Sequence, residues 1–295
     1  MHEMALMIRK QFGDGDAIRD AGLTTPDDIE RFDDIAYGPD HTWQMLDVYR
    51  PLGTADDAAL PVIVSVHGGA WVYGDKDGYQ WYCMNLAQRG FVVVNFTYRL
   101  APEFQFPSSM IDTCMVFQWT VDHIADYGGD VSHVFAVGDS AGAHMLGLFC
   151  NMCTNAEYRA KFDFAPPADF VPTAVALNCG AYQIVVSDDP EDMTSALMAD
   201  YLPEGGSAAE LDLIGVMTHV TSAFPPAYLM TCDGDFLHDA AEPMSKLLRE
   251  LEVTHELHVY GGIDEPLGHV FHCNMRSEDA RRCNDDECRF FKRFL

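Results

Sequence analysis

The segment Val134–His144 places the strongest constraint on how this chain can fold. Its first four residues are apolar and predict a short buried strand. Gly138-Asp-Ser-Ala-Gly142 then predicts a tight turn, and a helix follows. In a strand–turn–helix setting, a G-x-S-x-G sequence holds its serine in a strained conformation, with the hydroxyl above the sheet and a helix N-terminus behind it. The segment therefore predicts an exposed nucleophile, Ser140, on a sheet covered by helices.

Apolar runs of strand length recur along the chain and alternate with helical segments. The run at 61–66 is β-branched without interruption, which is typical of parallel strands buried on both faces. This alternation, which shows no repeat, predicts an α/β fold with a mostly parallel, doubly wound sheet. The predicted strands are 41–49, 61–66, 91–98, 131–137, 173–178, 226–232 and 254–260, and the predicted helices are 79–88, 108–124, 242–251 and 277–295.

Two segments break this rhythm. Residues 1–35 are predicted to form a helical N-terminal cap element, with a helix start at Asp27-Asp-Ile-Glu30 after Pro26. Residues 182–222, which include Pro190 and Pro203 and lack a strand-like run, are predicted to form an inserted helical cap segment. The length of 295 residues, of which 48% are apolar, suits one domain spanning 1–295.

The charge of the chain restricts its partners. The formal net charge is −28, from 46 acidic and 18 basic residues. A surface of that sign repels nucleic-acid phosphates and anionic lipids, so the sequence argues against nucleic-acid and membrane-surface roles. No apolar run reaches the eighteen or more residues typical of a membrane span. The first ten residues lack the order of charges and the cleavage site of a signal peptide, and the expected location is cytoplasmic.

The nine cysteines are interpreted as reduced, mostly buried thiols. Cys150 and Cys153 have the spacing of a redox motif, but they lie on the helix after Ser140 and lack a second pair. Three further cysteines near the C-terminus lack the paired spacing of a zinc site. The sequence therefore predicts no metal site and no cofactor. The three cysteines near the C-terminus are Cys273, Cys283 and Cys288.

A serine hydroxyl needs a neighbouring base before it becomes a useful nucleophile. In a strand–turn–helix setting of this kind, the serine is followed along the chain by an acid and then by a histidine. Most of the twelve histidines lie before Ser140, on the helix after it, or at or before the last strand. His269 follows a glycine in the loop after that strand, where it can reach over Ser140, and it is favoured over His272.

The orienting acid should follow the strand at 226–232. Asp233, Asp235 and Asp239 all lie in that loop. Asp235 is favoured because Phe236 and Leu237 can shield its bond to an imidazole, and Asp233 is kept as the alternative. The acid fixes the imidazole tautomer and stabilises the imidazolium without itself taking a proton.

An oxyanion intermediate needs hydrogen-bond donors, each worth roughly 3–4 kcal/mol in other hydrolases. The stretch His67-Gly-Gly-Ala70 follows a buried strand, so the backbone N–H groups of Gly68 and Gly69 can turn toward Ser140. Ala141, at the start of the helix, offers a third N–H. The predicted pocket walls are aromatic: Trp71 and Tyr73, with Tyr79 and Trp81 beside them.

Several motifs together resemble the hormone-sensitive-lipase-like carboxylesterases and the related acetyl and feruloyl esterases of the α/β-hydrolase superfamily. They are His67-Gly-Gly-Ala-Trp-Val-Tyr-Gly-Asp75, Tyr98-Arg-Leu-Ala-Pro-Glu103, Gly138-Asp-Ser-Ala-Gly142, Asp235-Phe-Leu and Gly268-His269, within a match from Leu46 to His269. The resemblance implies the α/β-hydrolase fold, a Ser140–Asp235–His269 triad, and oxyanion donors at Gly68, Gly69 and Ala141. The sequence departs from the family pattern at Phe236 and His238 and in the acidic insert Ile263-Asp-Glu-Pro266.

The predicted activity is that of a serine carboxylesterase, which cleaves short-acyl esters of small or carbohydrate-linked alcohols through an acyl-enzyme. The expected partner is a small-molecule ester, and a homodimer is left open as the assembly. The same triad would also serve a peptidase, a lactonase or an arylformamidase. A non-catalytic binding protein on the same scaffold is the alternative from another class, and it would be expected to have lost a member of the triad.

Overall fold

Eight strands form one sheet in the computed structural model, which describes residues 3–55, 57–187, 189, 192–262 and 266–295. The strands are β1 (Ile29–Ala36), β2 (Met45–Pro51), β3 (Leu60–Val66), β4 (Val92–Phe96), β5 (Gly129–Asp139), β6 (Val175–Asn178), β7 (Ala227–Cys232) and β8 (His255–Tyr260). Their order across the sheet is β1-β2-β4-β3-β5-β6-β7-β8.

The sheet is parallel from β4 to β8, whereas β2 pairs antiparallel with β4 and β1 pairs antiparallel with β2. The carboxyl ends of the parallel strands therefore meet along one edge. Ligand sites of open α/β sheets lie at that edge. The predicted mostly parallel α/β sheet is confirmed.

Helices pack on both faces of the sheet. Alternation along β3 shows the two faces, because Val62 and Val64 belong to one apolar cluster and Ile63 to another. None of the helices in the described part of the chain has the length and apolar character that crossing a membrane requires. The helices are α1 (Glu3–Asp20), α2 (Lys76–Ala87), α3 (Ser108–His123), α4 (Ala141–Thr154), α5 (Ala156–Arg159), α6 (Met193–Tyr201), α7 (Ala208–Leu213), α8 (Val216–His219), α9 (Ala241–Glu250) and α10 (Glu278–Phe291).

The strands and helices predicted between residues 61 and 260 are confirmed with shifts of a few residues at their ends. The early strand, predicted at 41–49, begins only at Met45. Residues 40–43 instead form a turn, in which the N–H of Gln44 donates to the carbonyl of Asp40 at 2.7 Å. A local turn signal at Asp40 thus sets the start of β2.

The helix start predicted at Asp27-Asp-Ile-Glu30 is wrong, because the chain enters β1 there. Helix α1 ends at Asp20, and Ile29 pairs with Pro51 across the sheet. The acidic residues after Pro26 are compatible with a helix N-terminus, but pairing with the edge of β2 outweighs that local preference. The N-terminal element is therefore a helix followed by an edge strand.

The segment 182–222 contains α6, α7 and α8, as its predicted helical character requires, although Asp188, Pro190 and Glu191 lie outside the described residues. It packs against α4 and the loop after β3. The His144 ring bonds the carbonyl of Ile214 at 2.9 Å, and the ring of Tyr201 stacks on Trp71 at 5.1 Å. The role of a cap and the limits of the single domain stay predictions.

Candidate active site

Ser140 lies between the end of β5 and the first residue of α4, at the carboxyl edge of the sheet. Its backbone has φ 51° and ψ −117°, a conformation that non-glycine residues rarely adopt and that is typical of strained functional positions. The N–H of Ser140 donates to the carbonyl of Asn178 at 2.9 Å. This bond ties the strained turn to the end of β6, and the N-terminus of α4 lies directly behind the serine.

The two glycines of the turn are required by close backbone contacts. A Cβ on Gly142 would lie closer to the carbonyl oxygen of Val66 than real Cβ contacts allow. A Cβ on Gly138 would lie 2.7 Å from the carbonyl oxygen of Gly142. The G-x-S-x-G spacing is therefore a packing requirement, since helix α4 can approach β3 and β5 this closely only without these side chains.

Asp235 and His269 form a short hydrogen bond, with 2.6 Å between Oδ1 and Nδ1. The carboxylate also accepts the N–H of Leu237 and the hydroxyl of Thr231, both at 2.8 Å. Burial on its own would raise the pKa of Asp235, but the hydrogen bond and charge of His269 and the two other donors hold that pKa below its usual range. The carboxylate is fully buried, while 16% of the His269 side chain is exposed.

The structure distinguishes these residues from their neighbours in sequence. Asp233 accepts the N–H of Leu267 at 2.9 Å and so bonds the loop backbone rather than a histidine ring. His272 is buried in the core, where burial lowers the pKa of its ring to about 3. Among the described residues, only the Asp235–His269 combination pairs an acid with an imidazole that also reaches the cavity beside Ser140.

Two other histidines near the site are structural. His67 is buried and stacks on Tyr98 at 4.0 Å between ring centres. His144, on α4, bonds the indole N–H of Trp71 at 3.2 Å. Burial lowers the pKa of both imidazoles to about 4, so each stays neutral at physiological pH.

The loop after β3 supplies backbone N–H groups, but not the ones the sequence predicts. The Gly68 N–H donates to the hydroxyl of Tyr79 at 3.0 Å and to Asp139 at 3.2 Å, so the prediction of Gly68 as an oxyanion donor is corrected. Gly69 and Ala70 line the cavity beside Ser140, and their N–H groups meet no acceptor among the described residues. The structure therefore favours Gly69 and Ala70.

Ala141 completes this set of donors. It is the first residue of α4, where the N–H has no intrahelical acceptor. The helix N-terminus also carries a partial positive charge, which favours a developing oxyanion. No residue type at position 70 could have signalled its role, because any residue except proline can supply a backbone N–H.

Asp139 is a site residue that is not among those predicted from the sequence. It is buried beside Ser140, and its carboxylate accepts the hydroxyl of Tyr79 at 2.7 Å as well as the Gly68 N–H. Burial raises the pKa of Asp139 to about 6, against the effect of these donors and of the charge of His269. Asp139 thus anchors the loop after β3 to the serine turn. Its place in the Gly-Asp-Ser sequence was the available signal.

Ser140 and His269 open into one cavity of about 340 Å³. Its walls combine the serine turn, the histidine loop and one face of α1. Larger cavities of about 530 and 510 Å³ lie elsewhere, and neither Ser140 nor His269 lines them. The lining comprises Gln11, Phe12, Gly15, Asp16, Arg19, Gly69, Ala70, Tyr73, Tyr79, Asp139, Ser140, Phe236, His269 and Val270.

Tyr73 faces this cavity as predicted, but Trp71 does not line it. The Trp71 indole is buried between Tyr201 and His144 behind the loop. Its side chain holds the loop in place and is not a wall of the pocket. Within the described residues the Ser140 hydroxyl is not hydrogen-bonded to His269, a contact that in substrate-free hydrolases often closes only on binding.

All nine cysteines are free thiols, and eight of them are buried. Cys150 and Cys153 lie on α4, and burial raises the pKa of both thiols, so neither is poised as a thiolate. The redox spacing of this pair thus has a structural explanation in the packing of α4.

A family model described as the alpha/beta hydrolase fold matches residues 63–273. The chain belongs to this family. Within it, the sequence motifs and the esterase relatives identify the hormone-sensitive-lipase-like carboxylesterase branch. The matched region contains Ser140, Asp235 and His269.

Curated relatives of this α/β-hydrolase are esterases by name. Esterase LipQ of Mycobacterium tuberculosis is 26% identical over 215 residues, which cover 72% of this chain and 49% of that protein. Ethyl acetate hydrolase of Pseudomonas putida is 26% identical over 278 residues, covering 88% of this chain and 79% of that one. The chain spans about half the length of the first two M. tuberculosis relatives, 49% and 48%.

Solved structures show the same architecture across nearly the whole chain. Esterase B from Lactobacillus Rhamnosis superposes with a TM-score of 0.88 at 25% identity, covering 99% of this chain and 95% of that one. A hyperthermophilic esterase from Pyrobaculum calidifontis superposes with a TM-score of 0.77 at 23% identity, covering 98% and 90%. The match with Esterase B extends beyond residues 63–273 toward both ends of the chain.

Proposed function

We propose that this α/β-hydrolase is a serine carboxylesterase that cleaves short-acyl esters of small, uncharged alcohols through an acyl-enzyme. The observation that carries the proposal is the 2.6 Å bond between Asp235 and His269, at a cavity that Ser140 also lines. A base, its orienting acid and a strained serine lie together at this cavity. The esterase names of the relatives support the same reaction.

In the first step Ser140 attacks the ester carbonyl. Because Nδ1 of His269 is bound to Asp235, the other ring nitrogen, Nε2, is the one that takes the serine proton. The new C–O bond produces a tetrahedral oxyanion, and the positive imidazolium is stabilised by the Asp235 carboxylate. The imidazolium then gives its proton to the leaving alcohol, and the acyl group stays on Ser140.

The oxyanion is stabilised by fixed donors rather than by a charged side chain. Gly69, Ala70 and Ala141 supply N–H groups on the two sides of the serine turn. Preorganised donors of this kind contribute about 3–4 kcal/mol each to transition-state stabilisation. In the second half-reaction water attacks the acyl-enzyme, His269 accepts its proton, and the same donors stabilise the second oxyanion. The acyl–serine bond then breaks as His269 returns the proton to the Ser140 oxygen, which releases the carboxylic acid.

The cavity favours small, uncharged substrates. At about 340 Å³ it lies at the low end of small-molecule sites, roughly 300–1,000 Å³. Two carboxylates, Asp16 and Asp139, line it against one cation, Arg19, which already pairs with Asp16 at 2.9 Å, and this balance disfavours an anionic ester. The rings of Phe12 and Tyr73, 5.8 Å apart, provide an apolar wall. The names of the relatives point the same way, toward ethyl acetate for the P. putida protein and toward a C4-C4 tributyrin phosphonate for Esterase B.

The alcohol side of the substrate lies against α1 in this proposal. Residues 11, 12, 15, 16 and 19 share one face of the helix and line the cavity. By contrast, none of the described residues of 182–222 lines it. The N-terminal helix is therefore the element expected to select among alcohols, and the inserted segment supports the loop from behind through Tyr201.

The test is hydrolysis of p-nitrophenyl acetate by wild type, Ser140→Ala and Ser132→Ala. Ser132 is an exposed serine, hydrogen-bonded to Asp130 and far along β5 from the site, and serves as the matched control. We expect Ser132→Ala to match wild type and Ser140→Ala to lose at least about 10³-fold in kcat. Equal rates for wild type and Ser140→Ala would contradict the proposal.

The substrate class is measured separately. An acyl series from acetate to decanoate is run beside an acetylated sugar and a feruloyl ester. A steep fall in kcat/KM beyond butyrate supports the short-acyl assignment, and faster turnover of long chains contradicts it. A p-nitroanilide of the same acyl group tests whether amides are cleaved, which would favour a peptidase.

A further inference from the structure

The loop that carries His269 lies over the ends of β6 and β7, and a cysteine occupies each of these ends. Cys179 directly follows β6, and Cys232 is the last residue of β7. Both side chains are buried, with at most 1% of either residue exposed. Neither thiol has a part in the reaction proposed above.

Cys232 contacts the backbone on the near side of His269. Its sulfur lies 3.2 Å from the carbonyl oxygen of Leu267 and 3.2 Å from that of Gly268, so the S–H donates to this pair of carbonyls. The N–H of Gly234 donates to the same Leu267 carbonyl at 3.0 Å. The thiol therefore holds the residues immediately before the histidine against the end of β7.

Cys179 lies beside the reacting pair, and its S–H donates to the sulfur of Met230 at 3.9 Å. Its sulfur, a carboxylate oxygen of Asp235 and a ring nitrogen of His269 all lie within 4.8 Å of one another. The N–H of Val270, the next residue after the histidine, is a hydrogen-bond donor to the same thiol and acts to lower its pKa. The hydrogen bond with the neighbouring Cys232 thiol, together with burial, raises the pKa of Cys179 well above its ordinary value, so Cys179 is a neutral thiol beside the Asp235–His269 bond.

The backbone at Cys179 is also held in an unusual conformation. Its φ is +48°, which is rare for a residue with a Cβ, and its N–H donates to the carbonyl of Met230 at 2.6 Å. The preceding residue, Asn178, accepts the N–H of Ser140. One short segment thus bonds the backbone of the nucleophile and places a thiol within 4.8 Å of the base.

We propose that Cys179 and Cys232 are positioning residues of the catalytic pair, which together fix the His269 loop on both sides of the histidine so that the imidazole is held over Ser140. The inference rests on the proposed esterase function. It assigns neither thiol a covalent step. It requires that loss of a thiol changes the geometry of the Asp235–His269 bond, and so changes kcat more than KM.

The experiment compares Cys179→Ala and Cys232→Ala with Cys288→Ala. Cys288 is a buried thiol on α10, outside the cavity, so its loss reports the general effect of removing a core sulfur. Wild type and Ser140→Ala are assayed first with p-nitrophenyl acetate, which establishes the esterase function independently of the cysteines. We expect about a tenfold lower kcat for Cys179→Ala with KM nearly unchanged, and a smaller loss for Cys232→Ala, because small displacements of a base are costly.

A second measurement does not depend on activity. The proton in the 2.6 Å Asp235–His269 bond should give a strongly downfield ¹H NMR signal, which we expect to shift or broaden in Cys179→Ala and to be kept in Cys288→Ala. Cys179→Ser, which keeps a polar group near the Val270 N–H, should recover part of kcat. If Cys179→Ala is folded and matches Cys288→Ala in kcat, pH profile and the downfield signal, the positioning role is refuted even though the esterase proposal stands.

Discussion

Replacing Asp235 by asparagine separates the charge of the carboxylate from its shape. In the structure Oδ1 accepts both His269 Nδ1 and the Leu237 N–H, while Oδ2 accepts the Thr231 hydroxyl. An asparagine with its oxygen at the Oδ1 position keeps the first two bonds. Its NH₂ group then faces Thr231, whose hydroxyl can rotate to accept. The variant should therefore fold and lose mainly the negative charge beside the imidazole.

The expected loss in kcat/KM depends on how the amide settles. If the oxygen faces His269, the tautomer is kept and only the stabilisation of the imidazolium is lost, for which we expect about a 10²-fold decrease. If the NH₂ faces His269, the wrong tautomer forms and the loss approaches about 10⁴-fold, the value known for the corresponding change in a serine protease triad. At ~1.4 kcal/mol per factor of ten, this range is about 3 to 5.5 kcal/mol.

The assay is the initial rate of p-nitrophenyl acetate hydrolysis from about pH 5 to 9, with Asp239→Asn as the control. Asp239 lies on the same loop with a fully exposed side chain, so its variant should stay within about twofold of wild type. Urea unfolding checks that Asp235→Asn is folded. A folded Asp235→Asn enzyme with nearly wild-type kcat/KM would refute the assignment of Asp235, and Asp233→Asn would then be the next variant to measure.

Two further predictions concern the cavity and the core. Gly15 lines the cavity from α1, and a Cβ there would meet nothing within 4 Å. Gly15→Leu should therefore lower kcat/KM for bulky esters much more than for acetate, and it should raise thermal stability slightly. Gly13→Ala is the control. Equal losses of kcat/KM for all esters would contradict the assignment of α1 as a wall of the cavity. Glu287 is buried with Tyr82 and Asn178 donating to its carboxylate, and burial raises its pKa to about 7 from 4.5. Because the folded state then binds the proton more tightly than the unfolded chain, the contribution of Glu287 to the free energy of unfolding is present below about pH 4.5 and is lost, by roughly 3 kcal/mol, as pH rises to about 7. In urea unfolding, Glu287→Gln should reduce the pH dependence of the free energy of unfolding in this range. The same pH dependence in Glu287→Gln and wild type would contradict the prediction.

The sequence predicts those parts of the molecule in which local pattern and chain order carry the information. The β-branched run at 61–66 and the Gly-Asp-Ser-Ala-Gly turn need no knowledge of distant residues. The order of serine, acid and histidine along the chain leaves few choices, and the structure brings together the favoured ones, Asp235 and His269. The strand order of the sheet places the serine, the acid and the histidine at the same edge.

The parts that the sequence does not predict depend on pairing and packing between distant segments. The strand at Ile29–Ala36 forms because β2 offers an open edge, which local helix signals cannot show. Gly68 is excluded as a donor by Tyr79 and by the Asp139 carboxylate, which folding brings beside it. Trp71 does not line the pocket because its ring stacks on that of Tyr201, which lies 130 positions later in the chain.

The most direct test of the central claim is covalent labelling with a p-nitrophenyl alkylphosphonate, followed by peptide mass spectrometry. The phosphonate mimics the tetrahedral intermediate and reacts much faster with a nucleophile activated beside an oxyanion site than with other side chains. We expect one adduct per chain, on Ser140, formed with release of p-nitrophenol and loss of esterase activity, and absent in Ser140→Ala. An adduct on another residue, or a fully labelled protein that still hydrolyses p-nitrophenyl acetate, would contradict it.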